Sequence, residues 1–276
     1  MSRMRFLAAV LLSAAACQLI SREPASDPRL KGASRKPAHN GWIQVRLEGK
    51  PSEIGFQHGW LLAPEIEDLF QVTVLSSMHD TNKDWTFFRE AAEKVFWPKV
   101  EPEYRKELQG IVDGVRARGV KMDLWDVVAL NASIEANYYV KWYDQHHKIT
   151  SAVSLPAPER CSAFVSTGSY TKDGRVVIGH NDWSGYLEGE RWNILFDVAP
   201  ERGHRFFMDG MPGLIHSGDD FGMNAAGILI TETTISQFSG FDPNGIPEFA
   251  RARKAMQYAS SIDDFARIMK EGNNGG

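Results

Sequence analysis

Apolar residues recur at intervals of three and four in the first half of the chain, which is the spacing of one helix face. A strand is predicted over residues 42–47, where apolar and polar positions alternate, and a helix is predicted to begin near Pro51. The apolar face of this helix comprises Ile54, Leu61, Leu62, Ile66, Leu69 and Phe70. Further helices are predicted over 103–118 and over 123–143, the second with Asp123 as its N-cap.

From residue 161 onward the apolar residues form short runs that are separated by turn residues. Strands are predicted over residues 161–167, 175–180, 192–198, 204–209 and 227–234. Two closing helices are predicted over 247–259 and 262–271, the latter capped by Ser261. Helices, then strands, then helices favour an α+β or layered α/β/α body over regular βαβ units, and we predict the α+β class.

Length and composition narrow the possible functions. The chain has 276 residues, of which 43% are hydrophobic and 24% charged, and its formal net charge is −4. A chain of this size and composition can bury a substantial core. Because the charge is negative and no basic stripe is present, we expect no nucleic-acid partner.

The first 20 residues are typical of a signal segment. Two arginines precede an apolar run over 6–12, which is too short to span a bilayer, and alanines 14–16 offer small residues for cleavage before Cys17. We therefore expect an extracytoplasmic protein, either secreted or periplasmic. Lipidation at Cys17 is the only membrane attachment that the sequence suggests, and it ranks below simple secretion because the usual leucine three residues earlier is absent.

The chain after the signal segment divides into a leader and one domain. Residues 21–40 carry prolines, serines and basic residues without periodicity, which predicts a flexible leader. Residues 41–276 are predicted to form one domain.

Cys161 is the only cysteine that remains once the signal segment is removed. A free cysteine is often a small buried core residue. Here it lies between a loop and a predicted strand, and the next strand ends at His180, so a Cys–His pair for attack on a carbonyl group is also consistent. If the peptide bond before Cys161 is broken, its own α-amine, with an ordinary pKa of about 8, provides a second base.

The chain resembles the phospholipase B-like family of N-terminal-nucleophile hydrolases, which are related to the penicillin acyltransferase and choloylglycine hydrolase groups. The resemblance spans roughly residues 42 to 276. It is carried by five motifs in the family's order, Gly55-Phe-Gln-His-Gly59, Cys161-Ser-Ala163, His180-Asn-Asp-Trp183, Leu229-Ile-Thr-Glu-Thr-Thr234 and Arg251-Ala-Arg253. It implies an αββα sandwich, autoproteolysis between residues 160 and 161, and hydrolysis of an acyl ester or amide through a thioester. Because residues 273–276 resemble a turn from which the family continues into further strands, we expect the sandwich to be incomplete at the C-terminus.

The resemblance also implies roles for individual residues. Cys161 is the nucleophile, and His180 and Asn181 orient it or bind substrate. Asp182 stands where the family often has threonine, although related acyltransferases have an aspartate nearby, so its role stays open.

Two further positions are assigned by the same resemblance. Glu232 and Thr233 lie where relatives place a polar side chain for the oxyanion, and Thr233 is preferred. Arg253, rather than Arg251, matches a basic residue on the following helix.

Other polar groups have structural interpretations. His58, between two glycines that permit close packing, is expected to be structural, and the histidines at 146–147 are expected at the surface. Residues 219–220 after His216 are consistent either with a hydrolytic constellation or with a polar turn.

Three functions remain open at this level. The first is a phospholipase B-like hydrolase with a small acyl-containing substrate, a lipid or an N-acyl amide. The second is an acyltransferase-like amidase acting on small N-acyl compounds or peptides, and the third is a non-catalytic envelope lipoprotein that binds an acyl ligand. We expect no cofactor and no metal ion in any of them.

Overall fold

A computed structural model describes residues 27–150, 161–218, 220–233 and 240–275. Its α-helices are α1 (Pro51–Leu61), α2 (Ala63–Thr81), α3 (Trp85–Ala91), α4 (Pro102–Ala117), α5 (Leu124–Asn131), α6 (Ala136–His146), α7 (Tyr186–Gly189), α8 (Glu248–Tyr258) and α9 (Ile262–Lys270). Its strands are β1 (Ser34–Arg35), β2 (Ile43–Gly49), β3 (Ser162–Gly168), β4 (Gly174–Asn181), β5 (Ile194–Pro200), β6 (Phe206–Gly210), β7 (Gly222–Asn224) and β8 (Leu229–Ile230).

The larger sheet has six strands in the order β1-β2-β5-β6-β7-β8. Strands β2 and β5 are parallel, with Ile43 opposite Ile194, and the other neighbours are antiparallel. Alternate side chains of β2, β5 and β6 are buried. The buried face packs against helices, and the opposite face carries ion pairs such as that between Arg205 and Asp197. The period-two alternation expected of a sheet with one covered face is therefore present.

Helices α1 and α4 pack against each other through glycines, which accounts for the expected close packing around His58. A Cβ atom on Gly55 would lie 1.9 Å from the backbone oxygen of Glu107, and one on Gly59 would lie 2.2 Å from that of Ile111. Any side chain at these positions would therefore push the helices apart. The buried ring of His58 accepts a hydrogen bond of 2.8 Å from the backbone N–H of Gly213, so its expected structural role is supported by its contacts.

The single helix predicted over 123–143 is wrong, because the chain forms α5 and α6 with a turn between them. The predicted cap is confirmed, since the carboxylate of Asp123 accepts hydrogen bonds from the backbone N–H groups of Trp125 and Asp126. At the end of α5 the buried Asn131 amide donates to the carbonyls of Val127 and Gly213 and accepts from Ile215. These bonds fix the end of α5 against a distant loop, which local periodicity does not encode.

Residues 27–40, the described part of the leader predicted over 21–40, contact the first helices, while residues 21–26 lie outside the described part of the chain. The side-chain amide of Gln57 donates to the carbonyl of Arg29 at 2.7 Å. Arg35 pairs with Glu65 at 2.5 Å, and its strand β1 joins the edge of the sheet. The partners in these contacts, Gln57 and Glu65, lie on helices, so the composition of residues 27–40 alone does not predict the contacts.

Strands β3 and β4 form a separate two-stranded antiparallel sheet, called the hairpin below. Its apolar side chains are largely exposed, including Phe164 at 59%, Val165 at 61% and Val177 at 46%. Together with the helices and the six-stranded sheet, it confirms the α+β class, while the αββα sandwich stays a prediction. Among the described helices none is both long enough and apolar enough to cross a bilayer.

Candidate active site

The hairpin brings Cys161 and His180 together. Its register pairs Ser162 with Asn181 and Ala163 with His180, so Cys161 precedes the first paired residue and faces the end of β4. The sulfur of Cys161, a ring nitrogen of His180 and a carboxylate oxygen of Asp220 all lie within 4.8 Å of one another. A nucleophile, a base and a carboxylate thus share one small volume.

Asp182 makes the direct contact with the thiol. The Sγ of Cys161 donates a hydrogen bond to Asp182 Oδ1 at 3.6 Å, and the backbone N–H of Trp183 donates to the sulfur. Both partners follow β4 directly, so the turn after this strand holds the thiol from one side.

Asp220 approaches His180 from the loop before β7. Its Oδ1 lies 3.6 Å from His180 Nε2, and both side chains are only 8% exposed. That separation is too long for a hydrogen bond but short enough for electrostatic attraction to a protonated ring. The acidic pair at 219–220 is the sequence signal for Asp220. The sequence associates this pair with His216, whereas in the structure Asp220 lies beside His180. Asp219 lies outside the described residues.

The environment keeps the thiol protonated. Burial raises the pKa of Cys161 to about 11, the hydrogen bond from Trp183 opposes this shift, and the charges of Asp220, Asp182 and Glu232 add to it. A thiolate is the nucleophilic form of cysteine. Attack by Cys161 therefore requires a base that removes the proton as the bond forms, or a new positive charge beside the sulfur.

Asp209 adds a further acidic group that sequence reasoning missed. It lies on β6 opposite Leu195, on the face of the sheet opposite to that of the buried Met208. Burial raises its pKa to about 7, and the charge of Asp182 contributes to the shift. No local motif marks this residue, because its position depends on how β6 meets the hairpin.

Asn181, Glu232 and Thr233 occupy the margin of the site. The amide of Asn181 donates to the hydroxyl of Ser162 at 3.3 Å. Glu232 acts on Cys161 through its charge. Thr233 is exposed, and the described contacts of Cys161 do not include it. Within the described part of the strand predicted over 227–234, which ends at residue 233, only Leu229–Ile230 form a strand, so Glu232 and Thr233 follow it.

Arg253 has partners of a different kind. Its side chain is 2% exposed and pairs with Glu107 at 3.0 Å, while its other nitrogen donates to Gln257 at 2.7 Å. The guanidinium also lies over the rings of Tyr104 and Phe206. These described contacts join α8 to α4 and support a structural role, whereas the predicted catalytic role has no described contact with the thiol. Arg251 is likewise bonded to backbone carbonyls.

Three other histidines that the sequence singled out have partners outside the thiol cluster. Buried His216 contacts the carbonyl of Asn131 through Nε2 at 3.1 Å and accepts from the N–H of Gly218. His146 and His147 stack on Trp142 and Tyr143 at the surface, as expected.

The arrangement has the parts needed for covalent attack on an acyl group. It places a thiol beside an imidazole, with carboxylates around both, at the end of a hairpin on an α+β body. The same sulfur, nitrogen and oxygen atoms are also of the kinds that bind zinc.

The chain belongs to the phospholipase B family, whose model matches residues 65–276. This confirms the family expected from the five motifs.

Known relatives cover the chain broadly. An uncharacterized protein of Archaeoglobus fulgidus is 29% identical over 86% of this chain and 40% of its own length. A Caenorhabditis elegans protein provisionally named phospholipase B-like 2 is 25% identical over 67% of this chain and 33% of its own. The acyl-coenzyme A:6-aminopenicillanic-acid-acyltransferase 40 kDa form of Emericella nidulans is 21% identical over 83% of this chain and 57% of its own. The chain thus spans between a third and somewhat over half of these relatives' lengths.

Proposed function

We propose that this protein is an exported, self-processing cysteine hydrolase of the phospholipase B-like type that cleaves an acyl ester or amide. The observation that carries the proposal is the cluster of Cys161, His180 and Asp220 with their reactive atoms within 4.8 Å. Family membership and the relative named as an acyltransferase support acyl chemistry at this thiol. The positively charged and apolar start of the chain supports export.

The first step is maturation of the chain. Sγ of Cys161 attacks the carbonyl carbon of Arg160, the C–N bond breaks, and the amide nitrogen takes up a proton to become the α-amine of Cys161. Water then hydrolyses the thioester, which releases the carboxylate of Arg160 and restores the thiol. His180 is the nearest described imidazole and takes the thiol proton during attack.

The new amine changes the electrostatics of the site. When protonated, it introduces a positive charge among Asp182, Asp220 and Glu232, the carboxylates that hold the thiol in its protonated form before cleavage. That charge favours the thiolate, and the neutral amine serves as a base near neutral pH. Cleavage therefore activates the residue that it exposes.

Substrate turnover repeats the same chemistry. The thiol attacks the acyl carbon, the alcohol or amine leaves with a proton from the amine or from His180, and water releases the acid from sulfur. Backbone N–H groups near the sulfur stabilise the oxyanion, each typically by about 3–4 kcal/mol.

Intact-mass analysis of the purified protein tests the maturation step. We expect two polypeptides that part between Arg160 and Cys161, and a single chain for Cys161→Ala. Asp220→Asn should slow the separation, because it removes the carboxylate beside His180. The matched control is Ser166→Ala on the same strand, whose hydroxyl contacts the carbonyl of Tyr170 instead and whose loss should leave cleavage unchanged.

Turnover is tested on the same preparations with panels of phospholipids and N-acyl amides. Hydrolysis of at least one panel, lost in Cys161→Ala, is expected. Hydrolysis by a wild-type chain that stays intact would disprove self-processing, and hydrolysis that survives in Cys161→Ala would disprove the nucleophile.

An acyltransferase-like amidase is the second candidate. It is favoured by the match to the Emericella nidulans acyltransferase, which covers 83% of this chain against 67% for phospholipase B-like 2. Both candidates use the same thiol. Turnover of N-acyl amides without turnover of phospholipids would select this candidate.

A further inference from the structure

The imidazole of His180 is buried, and its Nε2 atom makes no hydrogen bond with the described residues. Its side chain is 8% exposed, and among the described residues Nε2 has no hydrogen-bond partner. A buried polar atom in this state is costly unless something binds it. Nε2 lies 3.6 Å from Asp220 Oδ1, and a ring nitrogen of His180 lies within 4.8 Å of the Cys161 sulfur.

We propose that Cys161, His180 and Asp220 form a zinc-binding site that holds the thiol in an inactive, metal-bound form. Thiolate, imidazole and carboxylate are the three ligand types that zinc takes in proteins. Mg²⁺ and Ca²⁺ favour oxygen ligands, so the sulfur and nitrogen select against them.

The geometry is close to what zinc requires. Zinc bonds of about 2.0–2.3 Å place neighbouring ligand atoms of a tetrahedron about 3.3–3.7 Å apart. His180 Nε2 and Asp220 Oδ1 are already 3.6 Å apart. The widest separation among the three atoms is at most 4.8 Å, and small side-chain rotations can close it.

Neighbouring charge also suits a cation. Asp182 contacts the same sulfur at 3.6 Å and can supply the fourth ligand, or a water molecule can take that position. Glu232 adds negative charge near the thiol. When the Zn–S bond forms, the thiol releases its proton to solvent, and the sulfur electron pair used for attack becomes engaged in the metal bond.

Spectroscopic titration of the full chain with Co²⁺ tests the site, because a thiolate–Co²⁺ bond produces a charge-transfer absorption. We expect this absorption to saturate at one equivalent, to be displaced by Zn²⁺, and to be absent in Cys161→Ser. Calorimetric titration of Asp220→Asn with Zn²⁺ should show more than about tenfold weaker binding. Loss of a residue that only supports a ligand already weakens metal binding by about tenfold, and Asp220 is proposed to bind the metal directly. Asp173→Asn, an exposed carboxylate at the hairpin turn, is the matched control and should bind Zn²⁺ like the wild type.

A measurement on the unaltered chain avoids reliance on variants that fold poorly. Saturating Zn²⁺ should slow alkylation of Cys161 by iodoacetamide, and a chelator should restore the rate. An unchanged alkylation rate, no charge-transfer absorption with Co²⁺, or one-equivalent Zn²⁺ binding retained in both variants would each overturn the inference.

The zinc site goes beyond the proposed function, because ligation needs only side chains of the uncleaved chain. If the chain is a hydrolase, Zn²⁺ should reversibly inhibit both cleavage before Cys161 and turnover. A protein that binds zinc at these residues but hydrolyses nothing overturns the proposed function alone. A chelator-treated protein that is active and indifferent to added Zn²⁺ overturns the zinc inference alone.

Discussion

The helical body and the hairpin differ in how tightly their residues are constrained. We use helical body for helices α1, α4 and α8 with the six-stranded sheet. There Phe56 is 1% exposed and Arg253 is 2% exposed, whereas Phe164 of the hairpin is 59% exposed. The described hairpin strands pair only with each other, and isolated two-stranded sheets have little stability of their own.

The difference shows how stability and chemistry are divided. The body supplies the cooperative folding energy, and the hairpin supplies the candidate nucleophile and its histidine. Among the described residues, Asp220 from the loop before β7, Asp209 from β6 and Glu232 after β8 connect the two regions at the site. Substitutions in the body should therefore change the free energy of unfolding, while substitutions in the hairpin should change reactivity with little effect on stability.

The buried ion pair between Arg253 and Glu107 should show the largest contrast. Arg253→Met leaves the carboxylate of Glu107 buried without its partner, which should lower the free energy of unfolding by about 3–5 kcal/mol. The double variant Arg253→Met, Glu107→Leu should recover much of this loss. Chemical denaturation measures both. Arg175→Met is the hairpin control, since Arg175 is 84% exposed beside Asp173, and it should change stability by less than about 0.5 kcal/mol.

The same experiment tests the catalytic role predicted for Arg253. If Arg253→Met keeps wild-type stability but abolishes cleavage or turnover, the structural role is wrong and the catalytic prediction gains support.

Gly55→Ala should give the next largest effect. Its new methyl group would lie 1.9 Å from the backbone oxygen of Glu107, so α1 and α4 must separate. We expect a loss of about 1–3 kcal/mol or more in thermal or denaturant unfolding. Val177→Ala in the hairpin, which removes a side chain that is 46% exposed, should cost less. An equal or larger loss for Val177→Ala would show that the hairpin is part of the cooperative core.

Acid sensitivity should arise from the body through its buried histidines. Burial lowers the pKa of His58 to about 3, with the charge of Arg253 adding to the effect, and burial lowers that of His216 to about 4. The unfolded chain, with an ordinary histidine pKa of about 6.5, takes up protons that the folded chain does not. The resulting stability is fully present above pH 6.5 and is lost as the pH falls toward 4, by on the order of 1 kcal/mol per histidine and pH unit.

Comparison of wild type with His58→Gln at pH 7.5 and pH 5 isolates this contribution. The wild-type advantage in unfolding free energy should shrink at pH 5, whereas exposed His146→Gln should show no such change. The comparison between variants is needed because Asp209 and Glu135, whose pKa values burial raises to about 7, act in the opposite direction. They lower stability as the pH rises from about 4 to 7. A wild-type advantage that stays constant between the two pH values would contradict a neutral buried His58.

The sequence by itself determined the local elements and the central pair of the candidate site. Periodicity located α1, α4, α8 and α9, and Ser261 caps α9 as predicted. Alternation located β2 to β6, and one hairpin turn was enough to indicate that Cys161 and His180 lie at neighbouring strand ends. These features depend on residues close in sequence, whose spacing already fixes which face or strand end they share.

Only the tertiary structure decided which distant groups complete the site. It placed Asp220 and Asp209 beside the hairpin, divided the predicted helix at Asn131, and paired Arg253 with Glu107. Each of these contacts joins segments far apart along the chain. These contacts form where helices and sheets pack against each other. The packing depends on the burial of whole surfaces, which the residue pattern within one segment does not specify.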